Sequence, residues 1–279
     1  MRRNTMSSST IGFIGLGEMG KPMAGRILEG GHAVVRCANR RREAIEALAA
    51  KGLVELANPN EVGAKSDIVI SIVTDVSQTD TVLRGPQGAM AAMSAGDILI
   101  LMSTHTPDYS RDLAKEADDL GIITLDCPVS GGATGAQQGT LALLAGGLEE
   151  AVEKCRAVLE CMGSIIYLGD VGMGQVAKLA NNAIAFGHAA LIWEIRDFVK
   201  VQGMEAEAFM EVLSVSTVRS FVSENWQVIN QPDVWPHMTE LIAKDLEQVV
   251  AAADDVGAPM PMTRTSQALD WASTKDGFD

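Results

Sequence analysis

Ile11, Phe13 and Ile14 form a short apolar run that breaks into Gly15, Gly17 and Gly20, and residues 21–29 beyond it are helix-forming. The first glycine permits a tight turn, the second lets backbone approach a pyrophosphate, and the third lets a helix pack closely on the strand. The helix N-terminus then offers oriented N–H donors to an anion. G-x-G-x-x-G in this strand–turn–helix context reads as a dinucleotide-binding fingerprint and commits the start of the chain to a βαβ unit.

The rest of the first half keeps that rhythm. Compact apolar runs at 11–14, 33–37, 68–73, 98–102 and 122–125 alternate with helix-like stretches at 21–29, 42–51 and 109–120. Such alternation predicts an α/β, doubly wound, mainly parallel sheet. Two further runs, 141–145 and 165–168, are expected to extend the same sheet after a glycine-rich loop. The pattern changes at Gly169-Asp170-Val171-Gly172. Residues 174–202 read as one helix of roughly 40 Å. Val176, Leu179, Ile184, Phe186, Leu191, Trp193, Ile195 and Phe198 put apolar groups on almost every face, so burial between domains or subunits is expected. Stretches 205–213, 218–229 and 238–256 also read as helix. The expected division is a Rossmann domain at 1–168 and an all-helical domain at 169–279.

The position that selects the dinucleotide lies at the end of the second strand. A carboxylate there would bind the ribose 2′-hydroxyl of NAD. Here Asn39 is followed by Arg40, Arg41 and Arg42. Asn does not repel a 2′-phosphate, and guanidinium groups grip one bidentately, which favours NADP(H) over NAD(H). This basic cluster is local, because the formal net charge is −14. That balance argues against nucleic acid or an anionic membrane as partner. No secretory signal is visible, the longest apolar stretch is too short for a bilayer, and a cytoplasmic location is expected. The 47% hydrophobic content excludes global disorder. The four cysteines and four histidines show no ligand spacing, so no metal site is expected.

Two clusters carry further chemistry. Ser130, Gly131 and Gly132 combine a hydroxyl with unencumbered backbone N–H groups, a cradle for a carboxylate. Lys178 and Asn182 are four residues apart in the long helix and share one face, where a cation and an amide can hold an alcohol or carbonyl oxygen. Thr104 and the pair Val73-Thr74 end two strands at the carboxyl edge, where open α/β sheets bind ligands.

Four ordered motifs resemble those of the β-hydroxyacid dehydrogenase family, which includes 3-hydroxyisobutyrate dehydrogenases and semialdehyde reductases. They are residues 12–24; Asp126-Cys127-Pro128-Val129-Ser130-Gly131-Gly132 continuing to Leu141; Gly172-Met173-Gly174-Gln175-Val176-Ala177-Lys178 with Asn181-Asn182; and Lys244-Asp245-Leu246. The resemblance implies cofactor contacts at Gly15, Leu16, Gly17, Met19 and Gly20. It implies others at Val73, Thr74 and Thr104 around the nicotinamide and ribose, with Lys244 near the nicotinamide. It implies Lys178 as proton donor or acceptor, Asn182 as an orienting group, and a homodimer or homotetramer formed through the helical domain. Thr74 departs from the family, which often has proline there. The implied activity is reversible oxidation of a small 3-hydroxy acid. An imine reductase on the same architecture usually replaces the lysine with aspartate or tyrosine. A catalytically silent NADP-binding scaffold would not need Lys178, Asn182 and the Ser130 loop together.

Overall fold

A computed structural model describes residues 9–32, 35–38, 42–229, 231 and 234–271. By backbone proximity the chain divides into two compact units, Met1–Lys178 and Leu179–Asp279. In the first, β1 (Ile11–Ile14), α1 (Gly20–Glu29), β2 (Val35–Ala38), α2 (Arg42–Ala49), β3 (Val54–Glu55), α3 (Pro59–Ala64), β4 (Ile68–Ser71), α4 (Val76–Leu83), β5 (Ile98–Leu101), α5 (Pro107–Asp118) and β6 (Ile123–Asp126) follow in order. The strands pair in parallel in the spatial order β3-β2-β1-β4-β5-β6. This is the doubly wound arrangement, with its topological switch beside β1.

Alternate strand residues feed two cores. Phe13, Ile70 and Ile100 pack on one face with Met23 and Ile27 of α1, whereas Ile14, Val69 and Leu101 pack on the other with Leu113 of α5. Burial on both faces explains why these strands read as unbroken apolar runs. Local capping starts the intervening helices. Asn58, Asp75 and Thr106 each accept the backbone N–H three residues on, and Pro59 and Pro107 follow two of these caps.

The second pair of apolar runs does not extend this sheet. β7 (Val129–Ser130), α6 (Gly132–Gln138), β8 (Leu141–Ala145), α7 (Glu149–Leu159) and β9 (Gly163–Tyr167) build a separate three-stranded sheet, ordered β7-β8-β9. Its β7–β8 pair is antiparallel. A single antiparallel bridge between Asp126 and Gly146 joins it to the edge strand β6. Pro128 has no N–H with which to prolong β6. Gly147, at φ +130°, turns the chain after β8. The glycine-rich stretch expected to be loop opens α6 instead, with Gly131 as its N-cap at φ +128°.

The long helix α8 (Met173–Val201) spans the division between the units. Beyond it lie α9 (Ala206–Val215), α10 (Phe221–Glu224), α11 (Trp226–Ile229), α12 (Trp235–Asp255) and α13 (Pro261–Gln267). The stretch expected as one helix over 218–229 is two, because Ser220 caps α10 and Asn225 ends it. The core of this unit gathers Ile192, Trp193, Phe209, Trp226, Ile242, Leu246 and Trp271. Trp193 and Trp226 meet edge to face with ring centroids 5.4 Å apart. α8 is not buried all round within one chain. Ile184, Leu191, Ile195 and Phe198 are 75%, 48%, 42% and 61% exposed. Their spacing aligns them along one side of the helix.

Candidate active site

Each glycine of the first turn answers a different demand. A Cβ on Gly15, where φ is +103°, would run into the carbonyl oxygen of Ile72, and one on Gly20 into that of Gly15. These two glycines are required by the protein's own backbone. A Cβ on Gly17 would meet no described atom within 4 Å, so among the described residues the space beside it is open. Leu16 is fully buried and Met19 half-buried. Among the described residues no side chain caps α1, and its first turn carries no carboxylate. An uncapped N-terminus behind an open glycine fits a pyrophosphate.

Register places the neighbouring strand ends beside this turn. Ile14 pairs with Ser71, and Ser71 with Leu101. β4 and β5 stop there, short of the expected 73 and 102, and their tails carry Val73-Thr74 and Thr104. Ser103 fixes the two tails together: its Oγ accepts the Val73 N–H and donates to the Val73 carbonyl, both at 2.8 Å. Thr74 is exposed and Thr104 half-buried. His105 is fully buried, with Nε2 3.0 Å from Thr79 Oγ1 and its ring 4.6 Å from that of Tyr109.

The start of α8 is tied to the same edge. Asp126, buried at the end of β6, accepts the N–H of Gly172 at 2.7 Å and of Gln175 at 2.8 Å. It thereby caps the helix that carries Lys178. Burial pushes this carboxyl up to about 6, against the lowering influence of those two N–H donors. The Gln175 side chain spans the β5 tail. Its Oε1 accepts the His105 N–H at 3.0 Å and its Nε2 donates to the Ser103 carbonyl at 2.9 Å. Lys178, half-buried, stands one turn further along α8. Ser130 and Gly131 are half-buried and Gly132 exposed at the β7–α6 junction.

The helical unit holds the other expected residues. Asn182 donates to Asp245 Oδ2 at 2.7 Å, and Lys244 Nζ lies 3.1 Å from Asp245 Oδ1. Asn39 and Arg40 lie outside the described residues. Trp226 belongs to the helical core. Asp126, Gln175, Ser103 and Asp245 were not singled out from sequence. Their only signal there is that three of them are polar residues inside the quoted motifs. Among the described residues, no three His, Cys, Asp or Glu side chains are grouped to hold a metal ion, and no helix is long and apolar enough to cross a membrane.

Residues 10–172 match the family model for the NAD binding domain of 6-phosphogluconate dehydrogenase. Residues 172–277 match that for the NAD-binding domain of NADP-dependent 3-hydroxyisobutyrate dehydrogenase. The 2-(hydroxymethyl)glutarate dehydrogenase of Eubacterium barkeri is 34% identical over 260 residues, covering 92% of this chain and 86% of that protein. The chain belongs to the β-hydroxyacid dehydrogenase family.

Other members of the family bear the same likeness. The probable mitochondrial 3-hydroxyisobutyrate dehydrogenase of Dictyostelium discoideum is 31% identical over 276 residues, covering 95% of this chain and 86% of that one. The crystal structure of 3-hydroxyisobutyrate dehydrogenase from Salmonella typhimurium superposes with a TM-score of 0.86 at 25% identity, covering 97% of this chain and 95% of that chain. As a β-hydroxyacid dehydrogenase, the chain is an NAD(P)-dependent oxidoreductase acting on the CH–OH group of a hydroxy acid.

Proposed function

We propose that this β-hydroxyacid dehydrogenase uses NADP(H) in preference to NAD(H) to interconvert a small 3-hydroxy acid and its semialdehyde or keto acid. The carrying observation is the sheet edge, where the open Gly17 turn, the tails of β4 and β5, and the capped start of α8 with Lys178 share one unit. Gly15, Leu16, Gly17, Met19 and Gly20 would hold the pyrophosphate, Val73, Thr74 and Thr104 the ribose and nicotinamide, and Asn39 with Arg40 the 2′-phosphate. Lys244 would approach the nicotinamide. When bound, the dinucleotide supplies the hydride acceptor or donor.

The chain's own residues do the rest. Ser130 with the N–H groups of Gly131 and Gly132 holds the substrate carboxylate. Lys178 takes the hydroxyl proton during oxidation and returns it during reduction, when its charge also stabilises developing alkoxide character. Asn182 orients the oxygen. Residues 1–168 form the dinucleotide-binding domain, which also carries the carboxylate cradle, and 169–279 the helical domain that carries Lys178, Asn182 and the assembly face. The exposed apolar side of α8 supports a homodimer or homotetramer through the helical part.

The test is initial-rate measurement across a panel of 3-hydroxy acids with NADP+ and NAD+, on the wild type and Lys178→Ala. Equal specificity constants for the two cofactors would remove the NADP assignment. Undiminished turnover in the variant would remove Lys178.

A further inference from the structure

We propose that Gln175 is a positioning residue, which locks the helical turn bearing Lys178 to the backbone on both sides of Thr104. The inference rests on the role given to Lys178 above. Gln175 is fully buried. Its amide uses one acceptor and one donor on backbone groups 70 and 72 residues away, the His105 N–H and the Ser103 carbonyl. Those groups flank Thr104. No other amide side chain in the first unit is shared between two residues of one strand tail and the first turn of α8, among the described hydrogen bonds.

Three strand ends are thereby referred to one residue. The Gln175 backbone N–H is held by Asp126 at the end of β6. Its side chain holds the β5 tail, and Ser103 in that tail holds Val73 beyond β4. Lys178 follows at i+3, a neighbour of Gln175 on the helix surface. A shift of this turn relative to Thr104 would displace the lysine from the atom it must serve. Misplacement by about 1 Å can cost on the order of a hundredfold in rate.

A double-mutant cycle tests this. Gln175→Met keeps the side-chain length without the hydrogen bonds. Acting through Lys178, it should lower kcat by about tenfold or more in the wild type, with most of that loss absent in the Lys178→Ala background. Amide hydrogen exchange supplies a readout independent of turnover: the His105 N–H should exchange about tenfold or more faster in Gln175→Met. If Gln175→Met does not fold, Gln175→Glu, which retains an acceptor for His105, takes its place in the cycle. Additive losses in the double variant, or unchanged His105 exchange, would overturn the positioning role while leaving Lys178 in place. Near-wild-type turnover in Lys178→Ala alone would overturn both readings.

Discussion

Asn182 and Asp245 are buried partners 63 residues apart in the chain, joined by a 2.7 Å hydrogen bond from Nδ2 to Oδ2. Asp245 also meets the ammonium of Lys244 at 3.1 Å. One carboxylate thus holds two of the residues assigned to substrate and cofactor.

Asp245→Ala should lower stability by about 1–3 kcal/mol, the scale of a buried polar group left without its partner. Asp245→Asn preserves an acceptor for Asn182 and should lose less. Urea unfolding of the two variants checks the order, and an Ala variant as stable as the wild type would contradict it.

Lys178→Ala should lose about 10²–10⁴-fold in kcat, the span usual for a positioned acid–base group. Cofactor affinity, read by fluorescence titration, should stay close to wild type because the phosphate contacts proposed above are at the glycine turn. Lys178→Arg keeps the charge but cannot readily release its proton, so it should not restore turnover.

Ser130→Ala, not a change at Gly131, is the clean probe of the carboxylate cradle. At φ +128° Gly131 occupies a conformation that side-chain-bearing residues rarely adopt, so substitution there would mix strain with lost binding. Ser130→Ala should raise KM by roughly tenfold, as expected for a charge-assisted bond. Its effect should fall away for an uncharged alcohol analogue, and equal effects on both substrates would count against the cradle.

Arg40→Ala should weaken NADPH binding by about 1.5–3 kcal/mol, with little change for NADH. Parallel titrations with the two cofactors decide this, since an equal loss would mean a role unrelated to the 2′-phosphate.

Asp126 gives a pH signature of definite sign. Its carboxyl titrates near 6 when folded, above the value of about 3.9 for an unfolded chain. The folded state therefore binds the proton more tightly. Stability from this group is fully present below pH 4 and is lost as pH rises through 6, at about 1.4 kcal/mol per unit. Unfolding free energies of the wild type minus those of Asp126→Asn should decrease across that window. A flat difference would mean the carboxyl is not perturbed by its burial.

What could be read from the chain was local. The expected bounds of β1 are the observed ones, and those of α1 agree within one residue, because an apolar run, a glycine turn and a helix start are all written in adjacent residues. The second sheet is not legible as a separate one because periodicity identifies a strand but not its neighbour. Pro128 and Gly147 decide where β7 and β8 pair. α6 read as loop because its glycines hide its periodicity. Side chains that act across long separations left no pattern: Ser103 reaches Val73 over 30 residues and Gln175 reaches Ser103 over 72. Which side of α8 a single chain leaves exposed is not legible either, because an all-apolar helix does not say what covers each of its faces.

The three glycines of the first turn differ in what their loss would reveal. At positions 15 and 20 a methyl group collides with main chain whether or not any dinucleotide exists, so those positions report only that the Rossmann turn must close. At position 17 no described atom stands within 4 Å of where a methyl group would sit. Gly17→Ala is therefore a handle for separating tenancy from architecture: it should leave the fold standing while crowding the space that the proposed pyrophosphate would use.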